Sequence, residues 1–142
     1  MSLSKKQILE RANLMSKNTL METLGIELID IGEDWLTAKM PVGPKVHQPD
    51  GVLHGGATVA LAESVGSFAS HIFLDSEKLF IRGLEISANH IKSVSTGYVY
   101  ATACFMHKGR TTQLFDIKVT DEDGNTISIC KLSTISLPKR KV

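Results

Sequence analysis

Residues 55–73 read GGATVALAESVGSFASHIF, and this stretch decides the architecture. Val59, Leu61, Val65, Phe68, Ile72 and Phe73 spread round a helical wheel, the pattern of a helix buried on all sides. Gly56, Ala57, Ala60, Ala62, Gly66 and Ala69 lie between them and let a sheet wrap the helix closely. One carboxylate interrupts the run, Glu63. Glutamate is almost never fully buried without a partner. Three readings stand: the acid escapes through a gap, pairs with a lysine, or lines a pocket. Gly56, Val59, Ala60, Gly66, Ser67 and Ser70 share its face, and most of them are small or hydroxylated, which leaves room for a ligand.

The start of the helix is the second clue. Gln48-Pro-Asp-Gly51 and then His54-Gly55-Gly56 lead into it. Glycine suits a backbone that a ligand approaches closely. The first N–H groups of a helix lack internal partners and carry the positive end of its dipole, so they can hold an oxyanion. Gly56 and Glu63 stand about two turns apart, roughly 10 Å, and side chains lean towards the helix N-terminus. Acid and oxyanion donors are thus expected to flank one site, as acyl transfer requires.

Working outward, the period changes from helical to alternating. A short helix is expected over about 4–16, from Ile8, Leu9, Ala12 and Met15. Thr19-Leu-Met-Glu22 reads as a capping box opening a second helix that Gly25 closes. Asp30–Asp34 is a turn between two strands, the second alternating Leu36, Ala38, Met40 and Val42 with Trp35, Thr37 and Lys39. Beyond the long helix, strands are expected near 81–93, 97–107, 111–120 and 125–137, separated by turns at Val94–Gly97, Lys108–Arg110 and Asp121–Asn125. The tail Pro138–Val142 is a solvated charged end. Strands joined by short turns run antiparallel, so the fold class is α+β, one long helix against an antiparallel sheet.

The chain of 142 residues suits one domain, 1–142, with residues 1–24 as an N-terminal helical segment. A formal net charge of +1 gives no electrostatic case for nucleic acid. The N-terminus lacks the apolar core of a signal peptide, and no run approaches the roughly 18 apolar residues of a membrane span. A cytoplasmic protein is expected. Cys104 and Cys130 read as small buried hydrophobes in a reducing compartment. His47, His54, His71, His90 and His107 show no paired-ligand spacing, so no metal is expected.

Taken together, HQPDGVLHGGATVALAES over residues 47–64 resembles the hotdog-fold thioesterases. The branch is that of 4-hydroxybenzoyl-CoA thioesterase with the acid on the central helix. It is most similar there to the 1,4-dihydroxy-2-naphthoyl-CoA hydrolases and the proofreading thioesterases of enterobactin synthesis. The likeness runs from about Asn18 to Leu137, with further matches at Leu84–His90, Gly109-Arg110 and Asp123-Gly124.

The resemblance implies hydrolysis of an aromatic acyl-CoA, or of an acyl-carrier thioester, with no cofactor because CoA is part of the substrate. It implies two subunits paired edge to edge, assembling to a homotetramer, with each site shared. Glu63 comes from one subunit as nucleophile or general base. Gln48, His54 and the oxyanion-donating amide of Gly55 come from the other. Gly56 adjoins the substrate, Ser67 matches a position near the acyl ring, and His90, Lys92, Gly109 and Arg110 match the CoA side. Lysine at 92 departs from an arginine and loses its forked phosphate contact. Two other functions suit the same residues: a non-catalytic acyl-CoA sensor, and a hotdog dehydratase or hydratase. The HGG start and the Ala62-Glu63-Ser64 context favour the thioesterase.

Overall fold

A computed structural model describes residues 2–140. Met1, and the Lys141 and Val142 end of the charged tail, lie outside the described residues. The elements are α1 (Lys5–Met15), α2 (Leu20–Leu24), β1 (Glu27–Ile31), β2 (Trp35–Pro41), a 3-10 turn at Pro44–Val46, α3 (Gly55–Phe73), β3 (Leu79–His90), β4 (Tyr98–Lys108), β5 (Thr112–Thr120) and β6 (Thr126–Pro138). The strands form one antiparallel sheet in the order β1-β2-β4-β5-β6-β3. It curls over α3, which touches β2 through β6. This is the hotdog arrangement, and α3 has the bounds expected from the sequence.

Alternation builds the core, because successive strand side chains point to opposite faces. Leu36, Ala38 and Met40 of β2, Val99, Ala101 and Ala103 of β4, and Phe115, Ile117 and Val119 of β5 all face α3 and are fully buried. From the helix, Leu61, Ala62, Val65 and Ala69 meet them. Burying a side chain such as Leu61 or Phe115 contributes about 1.5–3 kcal/mol.

The two edges of the sheet differ. At the β1 edge, Asn13 of α1 acts as a substitute strand: its amide nitrogen donates to the Leu28 carbonyl (2.9 Å) and its oxygen accepts from the Leu28 N–H (2.8 Å). β3, at the other edge, pairs among the described residues only with β6 and leaves Phe80 and Leu84 exposed. Its register slips between Gly83 and Glu85, so Leu84 is a bulge.

Four expectations need correction. First, α3 is not buried all round: Gly56, Glu63 and His71 are exposed and Ala60, Ser64 and Ser67 half-buried. One sheet covers one side of a helix, and the strip running from Gly56 past Glu63 to His71 stays open. Secondly, Val94–Gly97 does not join neighbouring strands. β3 and β4 run antiparallel in direction but are separated by β5 and β6, and the segment crosses past the helix start, where the Val94 carbonyl accepts from Leu53 N–H (2.8 Å). Thirdly, the reciprocal capping box opens α1, between Ser4 and Gln7. Thr19 caps α2 alone, accepting from Met21 N–H, while Glu22 turns back to the Asn18 amide. Fourthly, Cys104 is exposed: the strand alternation that buries Ala101 and Ala103 turns it to the outer face, opposite Asp116. Partial burial, with Asp34 and Asp116 nearby, pushes its thiol pKa up. Cys130 is buried, as expected.

Candidate active site

The residues singled out from the sequence fall into two groups at opposite ends of β3. The first gathers at the start of α3. His54 is the N-cap, and its Nδ1 accepts from the Gly56 N–H (2.8 Å). The His54 carbonyl accepts from Ala57 (3.0 Å) and Thr58 (3.1 Å). Of the opening amides, only that of Gly55 finds no acceptor among the described residues. Gly56 therefore has no free N–H to offer a ligand, and the donor expected from the helix start narrows to Gly55. Because Nδ1 accepts, the neutral His54 ring carries its proton on Nε2.

His90 lies against this amide. A Cβ on Gly55 would stand 2.7 Å from His90 Nε2, so glycine alone fits beside the ring. The ring is held by Ser128, whose Oγ is 3.1 Å from His90 Nδ1 and itself donates to the Asn89 carbonyl (3.1 Å). Gln48 accepts from the Asp50 N–H through Oε1, which turns its NH₂ group outward as a donor. Gln48, Gly55, His90 and Lys92 line one cleft of about 230 Å³. Lys92 is not free: its Nζ is 3.7 Å from Asp121 Oδ2. Asp121 in turn accepts from the Asn125 side chain (3.0 Å) and from the amides of Asn125 (2.8 Å) and Asp123 (3.0 Å). The Asn125 side chain is the main cause that holds the Asp121 carboxyl below its usual range.

The second group surrounds Glu63. This acid makes no ion pair among the described residues. Its Oε1 is 3.3 Å from where a Cβ on Gly83 would stand, so the carboxylate rests over a bare stretch of β3. Ser67 is half-buried one turn further along the helix. The Gly109-Arg110 turn lies at this end too, since Ser136, opposite Ile81 of β3, donates its N–H to Thr111 O (2.8 Å). Gly83 and His90 are seven residues apart on one strand, about 20 Å. Gly55 and Glu63 are eight residues apart on α3, about 12 Å along its axis, so within one chain the acid and the free amide flank the same helix without touching.

Gly83 and Ser128 were not singled out from the sequence. Gly83 had a signal, since an isolated glycine in a strand pattern marks a bulge or a close approach. Ser128 had none, being one of several serines in an alternating strand.

Comparison with known proteins agrees with the fold. Residues 50–128 match the family model of the thioesterase superfamily. The proofreading thioesterase EntH of Cronobacter turicensis is 44% identical over 126 residues, covering 89% of this chain and 91% of that protein. A mutant of thioesterase PA1618 from Pseudomonas aeruginosa superposes with a TM-score of 0.90 at 41% identity, covering 92% of this chain and 94% of that one. Thioesterase HI1161 from Haemophilus influenzae gives a TM-score of 0.90 at 37% identity, over 97% and 93% of the two chains. With a six-stranded sheet around one helix and these relatives over nearly its whole length, the chain belongs to the thioesterase superfamily and is a thioester hydrolase of the hotdog fold.

Proposed function

We propose that the protein hydrolyses an aromatic acyl-CoA in a site shared by two copies, Glu63 of one acting against the Gly55 amide of the other. The observation that carries this reading is the position of the two groups at the two ends of one uncovered strand edge. The bulge at Leu84 turns Gly83 and His90 to the same face of β3 despite their odd spacing. Antiparallel pairing of β3 with a second β3, about a two-fold axis at Ser87, sets Ile86 opposite Ala88 of the partner subunit. The same register sets Gly83 opposite His90 of the partner subunit. Glu63, over Gly83, then meets the free amide that lies beside that His90. A two-fold axis makes two such sites per dimer.

The chemistry follows from the groups. As nucleophile, the Glu63 carboxylate adds to the thioester carbon. The carbonyl oxygen becomes an oxyanion held by the Gly55 N–H, the C–S bond breaks, CoA leaves as thiolate, and water cleaves the anhydride. As general base, Glu63 takes a proton from the water that attacks the same carbon. Both routes give the carboxylic acid and CoA thiol. His54, through Nε2–H, and the Gln48 NH₂ orient the thioester or water. Gly56 adjoins the substrate through its missing side chain. Ser67 borders the acyl ring on the open strip of α3, whose small residues leave room for a flat group. His90, Lys92, Gly109 and Arg110 face the CoA arm. No cofactor enters either route. A homotetramer would form from two dimers, with the exposed Ile129 and Leu137 of β6 offering apolar surface for the contact.

The test is complementation. Glu63→Gln and His54→Ala proteins, each inactive, are unfolded and refolded together. Random pairing gives one intact site in half of the dimers, so about a quarter of wild-type activity returns. Mixed dimers without activity would overturn the shared site. Rates across aromatic, short and long acyl-CoAs test the acyl class.

A further inference from the structure

β5 alternates Gln113, Phe115, Ile117 and Val119 towards the core, and all four are buried. A buried amide is costly unless each polar atom is satisfied, and an apolar side chain would avoid that cost. Gln113 is satisfied, and in one direction only. The Gly109 carbonyl can only accept, so Gln113 Nε2 must face it (3.2 Å); Nε2 also donates to Ser136 Oγ (3.0 Å). Oε1 accordingly accepts from Thr134 Oγ1 (2.8 Å). With its one hydrogen spent there, Thr134 accepts from Ser70 Oγ of α3 (3.2 Å). Ser136 passes its own hydrogen to the Arg110 carbonyl (3.3 Å). Ser70, Thr134, Gln113 and Ser136 are all at most 1% exposed. The donors run one way from α3, through Gln113, to both carbonyls of the Gly109-Arg110 turn, an arrangement in which each bond polarises the next. Ser70 stands seven residues beyond Glu63, about 10 Å along the same helix.

We propose that Gln113 is a positioning residue for CoA binding: it fixes the Gly109-Arg110 turn from below and so aims the exposed Arg110 side chain at the nucleotide arm. The proposal rests on the reading of Arg110 as a CoA contact. Its carbonyl and that of Gly109 are drawn inward by Gln113 and Ser136, which turns the guanidinium outward to solvent. Without the amide, the turn keeps its Gly109 N–H to Thr112 O bond (2.9 Å) but loses its tie to α3.

The experiment pairs two substrates with a double-mutant cycle. Gln113→Met keeps the side chain's size and removes its donors and acceptor. KM for acyl-CoA should rise about three- to tenfold, the range of one lost hydrogen bond, with kcat little changed. KM for a short thioester without the nucleotide should stay the same. In an Arg110→Ala background the Gln113→Met effect on KM should vanish, because the amide acts through that side chain. Ser136→Ala, which cuts only the Arg110 branch, should show a smaller rise of the same kind and stands in if Gln113→Met does not fold. Equal losses on both substrates, or losses that add to that of Arg110→Ala, would make Gln113 a packing residue and overturn the proposal. If Arg110→Ala leaves KM unchanged, the CoA role of Arg110 fails and this proposal with it. If Arg110→Ala raises KM and Gln113→Met does not, only the positioning role fails.

Discussion

The two ends of β3 carry opposite kinds of chemistry. At the Gly55 end the polar groups are already tied down: His54 holds the Gly56 amide, Gln48 holds that of Asp50, and Ser128 holds His90. What remains there is a set of N–H donors without a negative charge to serve. At the Glu63 end a carboxylate with no ion pair among the described residues lies over a glycine. In the proposed reaction one end receives the oxyanion and the other supplies the base. The difference teaches that, under the proposed reaction, each end is incomplete by itself and the free edge between them is what would join the two.

The strongest way to break this comparison is to neutralise the acid. Glu63→Gln should lower turnover by at least about 10²–10⁴. Thermal unfolding should barely move, because Glu63 has no ion pair to lose. A folded Glu63→Gln protein with near wild-type rates would end the argument. At the other end, Gly55→Ala forces a methyl group to within 2.7 Å of His90 Nε2. The ring or the amide must shift, and kcat should fall by up to about 10², towards the cost of a lost oxyanion donor. Adding His90→Ala removes the obstacle and should restore part of kcat; a further fall instead would show that the glycine serves the chain rather than the ring.

Smaller effects separate the cations. Arg110 is exposed and has no acidic partner among the described residues, whereas Lys92 is already engaged with Asp121 beside Glu122 and Asp123. Arg110→Ala should therefore raise KM for acyl-CoA several-fold and Lys92→Ala by less, about twofold, in keeping with the small net value of an exposed charge pair. The reverse order would return Lys92 to the phosphates. The smallest effect concerns pH. The Asp121 carboxyl titrates below its unfolded value, so its contribution to the turn is present above that value and lost only as pH falls through the depressed one. Protection of the Asp123 and Asn125 amides, taken relative to their intrinsic exchange rates, should persist into the ordinary carboxylate range and fall below it.

Much of this was legible in the residues. The double glycine before a run of alternating small and large apolar residues set α3 at 55–73, and Leu36, Ala38 and Met40 set the inward face of β2. The residues grouped as a candidate site do cluster, in two sets. The pairing of strands was not legible. Val94-Ser-Thr-Gly97 has the composition of a hairpin turn, but whether such a turn joins neighbours depends on which edges the other strands leave free. The exposure of Glu63 was hidden for a related reason: hydropathy sees the residues of α3, while burial also depends on how far the sheet reaches round it. Cys104 was misjudged because one step in a strand changes the face, and composition cannot count the step.

The sheet's two margins have a consequence for how this enzyme behaves on dilution. Asn13 seals one margin from within the chain, so its closure does not depend on protein concentration. Under the proposed shared site the other margin closes by meeting its own copy, so the fraction of working sites would follow mass action. Activity per milligram should then fall as the protein is diluted below the dimer's dissociation constant. In such a dimer the same dilution would leave the exposed Phe80 and Leu84 on a strand with open hydrogen-bonding groups, a surface prone to mispair with other chains.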